Sequence, residues 1–251
     1  MIQEKQTEKL TISKPLPLDG TYNTRELGGY PAFSGRTQKH RCLRSDSLHE
    51  LTEEDLKFLQ TYGVKRIIDL RGAREVQLQP EENQWNGEME YFHIPMDDKM
   101  AAERYQGKFP EKMSQLYRQM LSQSQEEVRQ VLELIADAPE GTVVFHCAVG
   151  KDRTGVIAML LLKICGVEDA VILEDYKVSG ANIVPLAKKQ TAFLAERGMT
   201  VPEYIFESKE EDMRETLLFL EEAYGGIAGY LKTLQISGET VWKIMNRMCN
   251  P

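Results

Sequence analysis

The stretch from residue 142 to residue 165 constrains this chain more than any other. Thr142–His146 reads TVVFH, a short β-branched apolar run entered from a turn marked by Pro139 and Gly141. Arg153–Cys165 is apolar on nearly every side and meets a stop at Gly166. The first run predicts a buried strand, and the second a helix through the middle of a domain. A short loop, Cys147–Asp152, is all that joins them. Such a unit belongs to α/β architecture, where sites open at the carboxyl ends of strands.

The flanking sequence fits that frame. Thr52, followed by Glu53, Glu54 and Asp55, predicts a helix start, and Gly63 its end. Val64–Leu70 and Tyr91–Ile94 read as strands, and 125–137 as an amphipathic helix carrying Val128, Val131, Leu132 and Ile135. Asn23–Tyr30, NTRELGGY, reads as a tight polar turn with a glycine at positive φ. Residues 99–123 are helix-compatible and polar, with two readings open: a lid, or an ordinary surface helix pair. After Gly166 the strand signals stop and helices follow over 167–178, 184–197, 210–224 and 239–248. The fold class is therefore α/β, a central, mainly parallel sheet flanked by helices, with a mainly helical C-terminal part. That part, 167–251, is either an annex or a cover over one sheet face. With no repeat or linker, the 251 residues are expected to form a single domain after an irregular lead-in over 1–20.

Composition narrows the function. A net charge of −8 disfavours nucleic-acid binding, and it means that a phosphorylated ligand needs local positive charge to be captured. Cys42, Cys147, Cys165 and Cys249 form no CxxC pair, which points to reduced thiols and a cytoplasmic protein; Cys165 reads as a small core residue. The N-terminus has no apolar stretch, and the longest apolar run, Val156–Leu162, is too short to span a bilayer. No stable membrane insertion is expected, while export with a removed leader stays open.

The loop His146-Cys147-Ala148-Val149-Gly150-Lys151-Asp152-Arg153-Thr154-Gly155 carries the chemistry. A helix N-terminus presents unpaired amides and the positive end of its dipole. The backbone of Ala148, Val149, Gly150, Lys151, Asp152 and Arg153 can curl into a phosphate cradle. Gly150 lets the loop bend, and the Arg153 fork can grip two oxygens. The same field favours a Cys147 thiolate, which can attack phosphorus in line to give a phosphocysteine. Thr154 is placed to donate to the sulfur, and His146 to orient the loop. A Walker A loop fails, because Asp152 follows Gly150-Lys151 and no glycine stands at position 145.

This loop resembles the signature HCxxGxxRTG of the protein tyrosine phosphatase superfamily. It is sharper still against the bacterial tyrosine and phosphoinositide phosphatases with an HCxxGKDRTG loop. Asn23–Tyr30, the RSDS at Arg44–Ser47, Ile68-Asp69-Leu70-Arg71 and YGGIAGYL at Tyr224–Leu231 are similar to that group. The resemblance implies a phosphatase P-loop between a strand and a buried helix, no metal or cofactor, and two-step ester hydrolysis. Cys147 would be the nucleophile and Arg153 the transition-state clamp. Many members place a general acid on a mobile loop some thirty positions before the cysteine, where this chain has no aspartate. The bacterial pattern implies Asp152, which is preferred here to Asp97 or Asp98.

Two enzyme readings remain. The first is a protein phosphotyrosine phosphatase with dual-specificity activity. The second is a phosphoinositide phosphatase, for which Lys151 supplies a second cation. A phosphate-binding pseudoenzyme is the alternative of another class, against which the intact Cys147, Asp152, Arg153 and Thr154 argue. The expected partner is a phosphotyrosine-containing protein or a phosphoinositide. Arg25, Asp46, Asp69 and Arg71 read as braces around the loop.

Overall fold

The computed structural model describes residues 12–81, 85, 87, 89–96, 110–196, 198, 200 and 202–250. A five-stranded sheet is built from β1 (Arg25–Glu26), β4 (Cys42–Ser45), β5 (Val64–Asp69), β6 (Glu90–His93) and β7 (Thr142–His146), in the order β1-β4-β7-β5-β6. β4, β7, β5 and β6 run parallel, and β1 is antiparallel to β4. A two-stranded antiparallel ribbon, β2 (Pro31–Ala32) with β3 (Gly35–Arg36), stands apart. The central strand β7 pairs Ser45 and Asp69 with His146, so its two neighbours end level with it. The row Ser45, His146, Asp69 therefore forms one shelf, and Cys147 is the next residue on it.

Alternation along the strands fills both faces. Cys42, Ile68, Val143 and Phe145 join one apolar cluster, while Leu43, Ile67 and Val144 join the other. Helix α1 (Glu53–Tyr62) covers the second face with Leu59, and Leu48, Trp85 and Met89 pack beside it. Its N-terminus carries the expected capping box between Thr52 and Asp55, and Gly63 closes it at φ 91°. Burying an aliphatic side chain contributes roughly 1.5–3 kcal/mol before chain entropy is subtracted. β7, buried at every residue, is thus anchored from both sides.

The other face carries α3 (Met113–Gln123), α4 (Gln125–Ala136), α5 (Arg153–Ile164), α6 (Asp169–Asn182), α8 (Glu210–Tyr224), α9 (Gly226–Thr233) and α10 (Gly238–Cys249). Helix α7 (Val184–Ala195) and a short 3-10 turn (Glu203–Phe206) link α6 to α8. Met213, Leu217, Tyr230, Ile244 and Met248 share one cluster with Phe145 and Val156. The C-terminal helices therefore cover a sheet face and do not form an annex. Within 99–123, helix α3 buries Met113, Leu116, Tyr117, Met120 and Leu121 and is part of the core, not a surface helix. Residues 99–109, the rest of the lid reading, lie outside the described residues, as do Asp97 and Asp98.

Sequence reasoning missed strands β1 to β4, helices α2 and α9 and the 3-10 turn. Strands β1 and β4 are short and contain charged residues, and their pairing partner is remote in sequence. Helix α2 (Ala73–Leu78) buries none of its residues, so it carries no apolar period. Helix α9 is only eight residues long and carries Gly226 and Gly229, which weaken its helix signal. Among the described residues, no helix is long and apolar enough to cross a membrane.

Candidate active site

The loop after β7 is held by its carbonyl groups. Ser47 N donates to Ala148 O at 3.2 Å. Asn23 Nδ2 donates to Val149 O at 3.4 Å and to Gly150 O at 3.1 Å. Arg44 Nη2 adds a third donor, 2.9 Å from Gly150 O. With the oxygens tied to β4 and its surroundings, the amides are left for something else. Those of Ala148, Val149, Lys151 and Asp152 donate to no protein acceptor among the described residues. Gly150 N donates to Cys147 Sγ at 3.3 Å. An amide-rich concavity with a sulfur at its base is the arrangement that an oxyanion needs.

Gly150 is the bend. Its φ is 72°, and a Cβ there would lie 2.5 Å from Asp46 N, inside the backbone of the β4 end. Asp46 accepts the amides of Tyr22 and Asn23, each at 2.9 Å, which fixes Asn23 against the loop. Burial pushes the Asp46 carboxyl up to about 6, with those amides opposing. Farther back, Asp175 accepts from Arg25 at 3.3 Å and from Arg44, both buried. The two guanidiniums hold Asp175 below the usual carboxylate range although burial opposes this. Arg25 is thereby a brace, and the partner of its charge is a residue 150 positions away.

A buried ionic cluster lies behind Cys147. His146 Nε2 pairs with Glu81 Oε2 at 3.2 Å and sits 3.9 Å from Asp69 Oδ1. Arg71 Nη2 is 2.7 Å from Asp69 Oδ2 and 3.1 Å from Glu81 Oε1. Asp69, Glu81 and His146 are near enough to one another to share a cation, and the Arg71 guanidinium supplies a positive charge there. Burial opposes a charged imidazole, but Glu81 and Asp69 outweigh it and raise His146 to about 9. The imidazole before Cys147 thus holds a proton more readily than a free one. Its Nδ1 lies 3.4 Å from Cys147 O.

Arg153, the first residue of α5, meets a carboxylate. Nη1 donates to Glu75 Oε2 at 2.5 Å and Nη2 to Glu75 Oε1 at 2.8 Å. Glu75 belongs to the first turn of α2 and also accepts Gly72 N at 2.7 Å. The fork of Arg153 is therefore oriented by the segment after β5, with Leu70 O 3.4 Å from Nη1.

Lys151 is fully buried. Its ammonium donates to Ile205 O at 2.7 Å and Glu207 O at 2.8 Å, and lies 3.1 Å from Asp152 Oδ1. Two of its three N–H groups are thus taken by backbone carbonyls, and Asp152 neutralises its charge as an ion pair. Asp152 Oδ1 also accepts the Tyr117 hydroxyl at 2.5 Å, and Tyr117 is 2.6 Å from the Tyr176 hydroxyl. Thr154 Oγ1 donates to Ser45 O at 3.5 Å, so the amide of Gly150 is the donor at the sulfur and Thr154 is turned to β4.

Cys147, Gly150, Asp152 and Arg153 thus share one short loop, with a sulfur, an amide cradle, a carboxyl and a guanidinium. These groups can bind a tetrahedral dianion, attack it and deliver a proton. The other cysteines, Cys42, Cys165 and Cys249, are buried and free. Sequence reasoning did not find Glu75, Glu81, Tyr117, Asp175 or Tyr176. Only Glu75 had a local signal, three residues after Gly72 in capping-box spacing.

Residues 16–250 match the family described as the tyrosine phosphatase family. A tyrosine-protein phosphatase from Nostoc commune is 32% identical, with 82% of this chain and 73% of that protein covered. The triple specificity protein phosphatase PtpB of Mycobacterium tuberculosis is 25% identical over 92% of this chain and 96% of its own. Among solved structures, P. aeruginosa TpbA aligns with a TM-score of 0.47 at 15% identity, covering 91% of this chain and 99% of that one.

Proposed function

Because the chain belongs to the tyrosine phosphatase family, we propose that it hydrolyses protein phosphotyrosine through a phosphocysteine at Cys147. The observation that carries this reading is the loop itself. Its carbonyls are tied back by Asn23, Arg44 and Ser47, while the Gly150 amide faces Cys147 Sγ at 3.3 Å. A bound phosphate would take the loop amides and the Arg153 fork. The thiolate would form an S–P bond as the ester P–O bond breaks, with Asp152 giving a proton to the departing oxygen. Water would then attack phosphorus, Asp152 would take its proton, and the S–P bond would break to return the thiolate.

Lys151 weighs between the two substrate classes. Its ammonium is fully buried, donates to Ile205 O and Glu207 O and is neutralised by Asp152, so it is turned into the protein and not toward a second phosphate. This supports a monophosphorylated protein side chain over a phosphoinositide. The name of the mycobacterial relative speaks of triple specificity, so phosphoserine and phosphothreonine belong in the substrate panel. A single domain and a reducing, cytoplasmic setting fit the shared core and the free thiols.

The test is hydrolysis of para-nitrophenyl phosphate with a chelator present, for the wild type and Cys147→Ser. Turnover in the wild type and a loss of at least about 10³-fold in the variant is expected. Phosphotyrosine peptides should then outrank phosphoserine peptides and phosphoinositides. Binding of phosphopeptide without any turnover by the wild type would replace this reading with that of a binding protein.

A further inference from the structure

The Asp152 carboxylate is held on one side only. Tyr117 and Lys151 both converge on Oδ1, at 2.5 Å and 3.1 Å. Oδ2 has no protein partner among the described residues, and the side chain keeps 13% of its surface open. Tyr117 is itself fully buried in α3, a helix far from the loop in sequence. Its hydroxyl has one hydrogen, and an ionised carboxylate can only accept. The hydrogen of Tyr117 therefore goes to Asp152, and Tyr176 in α6 must donate to Tyr117 across 2.6 Å. The result is a directed chain, Tyr176 to Tyr117 to Asp152 Oδ1. Burial, followed by the Asp152 charge, raises Tyr117 well above the ordinary phenol range, so it stays a donor. The two rings meet edge to face at 5.9 Å, which fixes the hydroxyl positions.

We infer that Tyr117 is the positioning residue for the general acid, turning Asp152 so that Oδ2 alone carries the proton to the leaving oxygen. This rests on Asp152 being that acid, as proposed above. A carboxyl free to rotate presents two equivalent oxygens and spends much of its time misdirected. One with Oδ1 occupied by a hydroxyl and an ammonium has a single oxygen left for exchange. The role is geometric: the Tyr117 hydroxyl bonds Asp152 and Tyr176, and acts through Asp152.

Leaving-group dependence separates positioning from packing. General-acid assistance matters most for a basic leaving oxygen, as in phenyl phosphate or phosphotyrosine, and least for para-nitrophenolate. The measurement is kcat and KM for both esters with the full-length wild type, Asp152→Asn, Tyr117→Phe and Tyr176→Phe, each checked by thermal unfolding. Asp152→Asn should lose about 10²-fold in kcat on phenyl phosphate and less than about tenfold on the nitrophenyl ester. Tyr117→Phe should lose about tenfold on phenyl phosphate, about twofold or less on the nitrophenyl ester, and leave KM unchanged. Tyr176→Phe should show the same bias at smaller size, and it reads the chain even where Tyr117→Phe folds poorly. Equal losses on both esters for Asp152→Asn would remove the acid assignment, and this inference with it. A biased loss in Asp152→Asn beside unbiased activity in both tyrosine variants would overturn the role of Tyr117 alone.

Discussion

Glu75 grips Arg153 with both carboxylate oxygens, at 2.5 Å and 2.8 Å, and holds the amide of Gly72 with the same side chain. A planar fork met by a planar carboxylate is fixed in angle as well as distance. Glu75→Ala should loosen that fork, cutting kcat/KM for aryl phosphates by about tenfold, or ~1.4 kcal/mol of transition-state stabilisation. Glu75→Gln, which keeps one acceptor, should lose less. Steady-state kinetics of the two variants checks the order.

Gly150 admits no side chain. At φ 72° with Asp46 N 2.5 Å from the position of a Cβ, Gly150→Ala must move backbone against backbone. The strain is on the order of 1–3 kcal/mol, and it falls on the residue whose amide faces the sulfur. A loss of more than about 10²-fold in kcat/KM is expected, together with weaker competition by inorganic phosphate or vanadate. Inhibition measured alongside turnover reads both.

His146 makes stability depend on pH. Its folded-state pKa is raised from the 6.5 of a free imidazole to about 9, so the folded protein holds this proton more tightly than the unfolded chain. The contribution is complete below pH 6.5 and is lost as pH rises through 9, amounting to ~3 kcal/mol. The thermal midpoint should fall across that window, and His146→Gln should flatten the slope while lowering stability at pH 6. In acid the same cluster fails differently. Asp69 and Glu81 are both held below the usual carboxylate range despite burial, so stability is lost as they take up protons.

Lys151→Met should act on stability before it acts on specificity. Removing the ammonium leaves Ile205 O and Glu207 O without their donor, a cost of about 2–4 kcal/mol at a buried site. The ratio of activity on phosphotyrosine peptide to that on phosphoinositide should change by less than about twofold. A selective collapse of lipid activity in the folded variant would instead assign Lys151 to a second phosphate. Denaturant melts and the paired assays decide between the two.

The sequence alone determined the elements whose signal is local. β7 and α5 are legible because a β-branched run and an all-round apolar helix need no partner to be recognised. α1 is legible because Thr52 and Gly63 cap it within its own span. The loop between β7 and α5 could be read as a phosphate site for the same reason, since Cys147, Gly150 and Arg153 are neighbours on the chain. What surrounds that loop was decided only by the tertiary structure. Glu75 reaches Arg153 across 78 positions, Tyr117 reaches Asp152 across 35, and Asp175 meets Arg25 across 150. A buried ion or hydroxyl is tolerable only when a partner arrives from elsewhere in the fold, and no local pattern specifies which partner that is. Lys151 is the clearest case: its place in the loop suggested a ligand for substrate, and the packing of residues 205–207 drew its ammonium onto two backbone carbonyls instead.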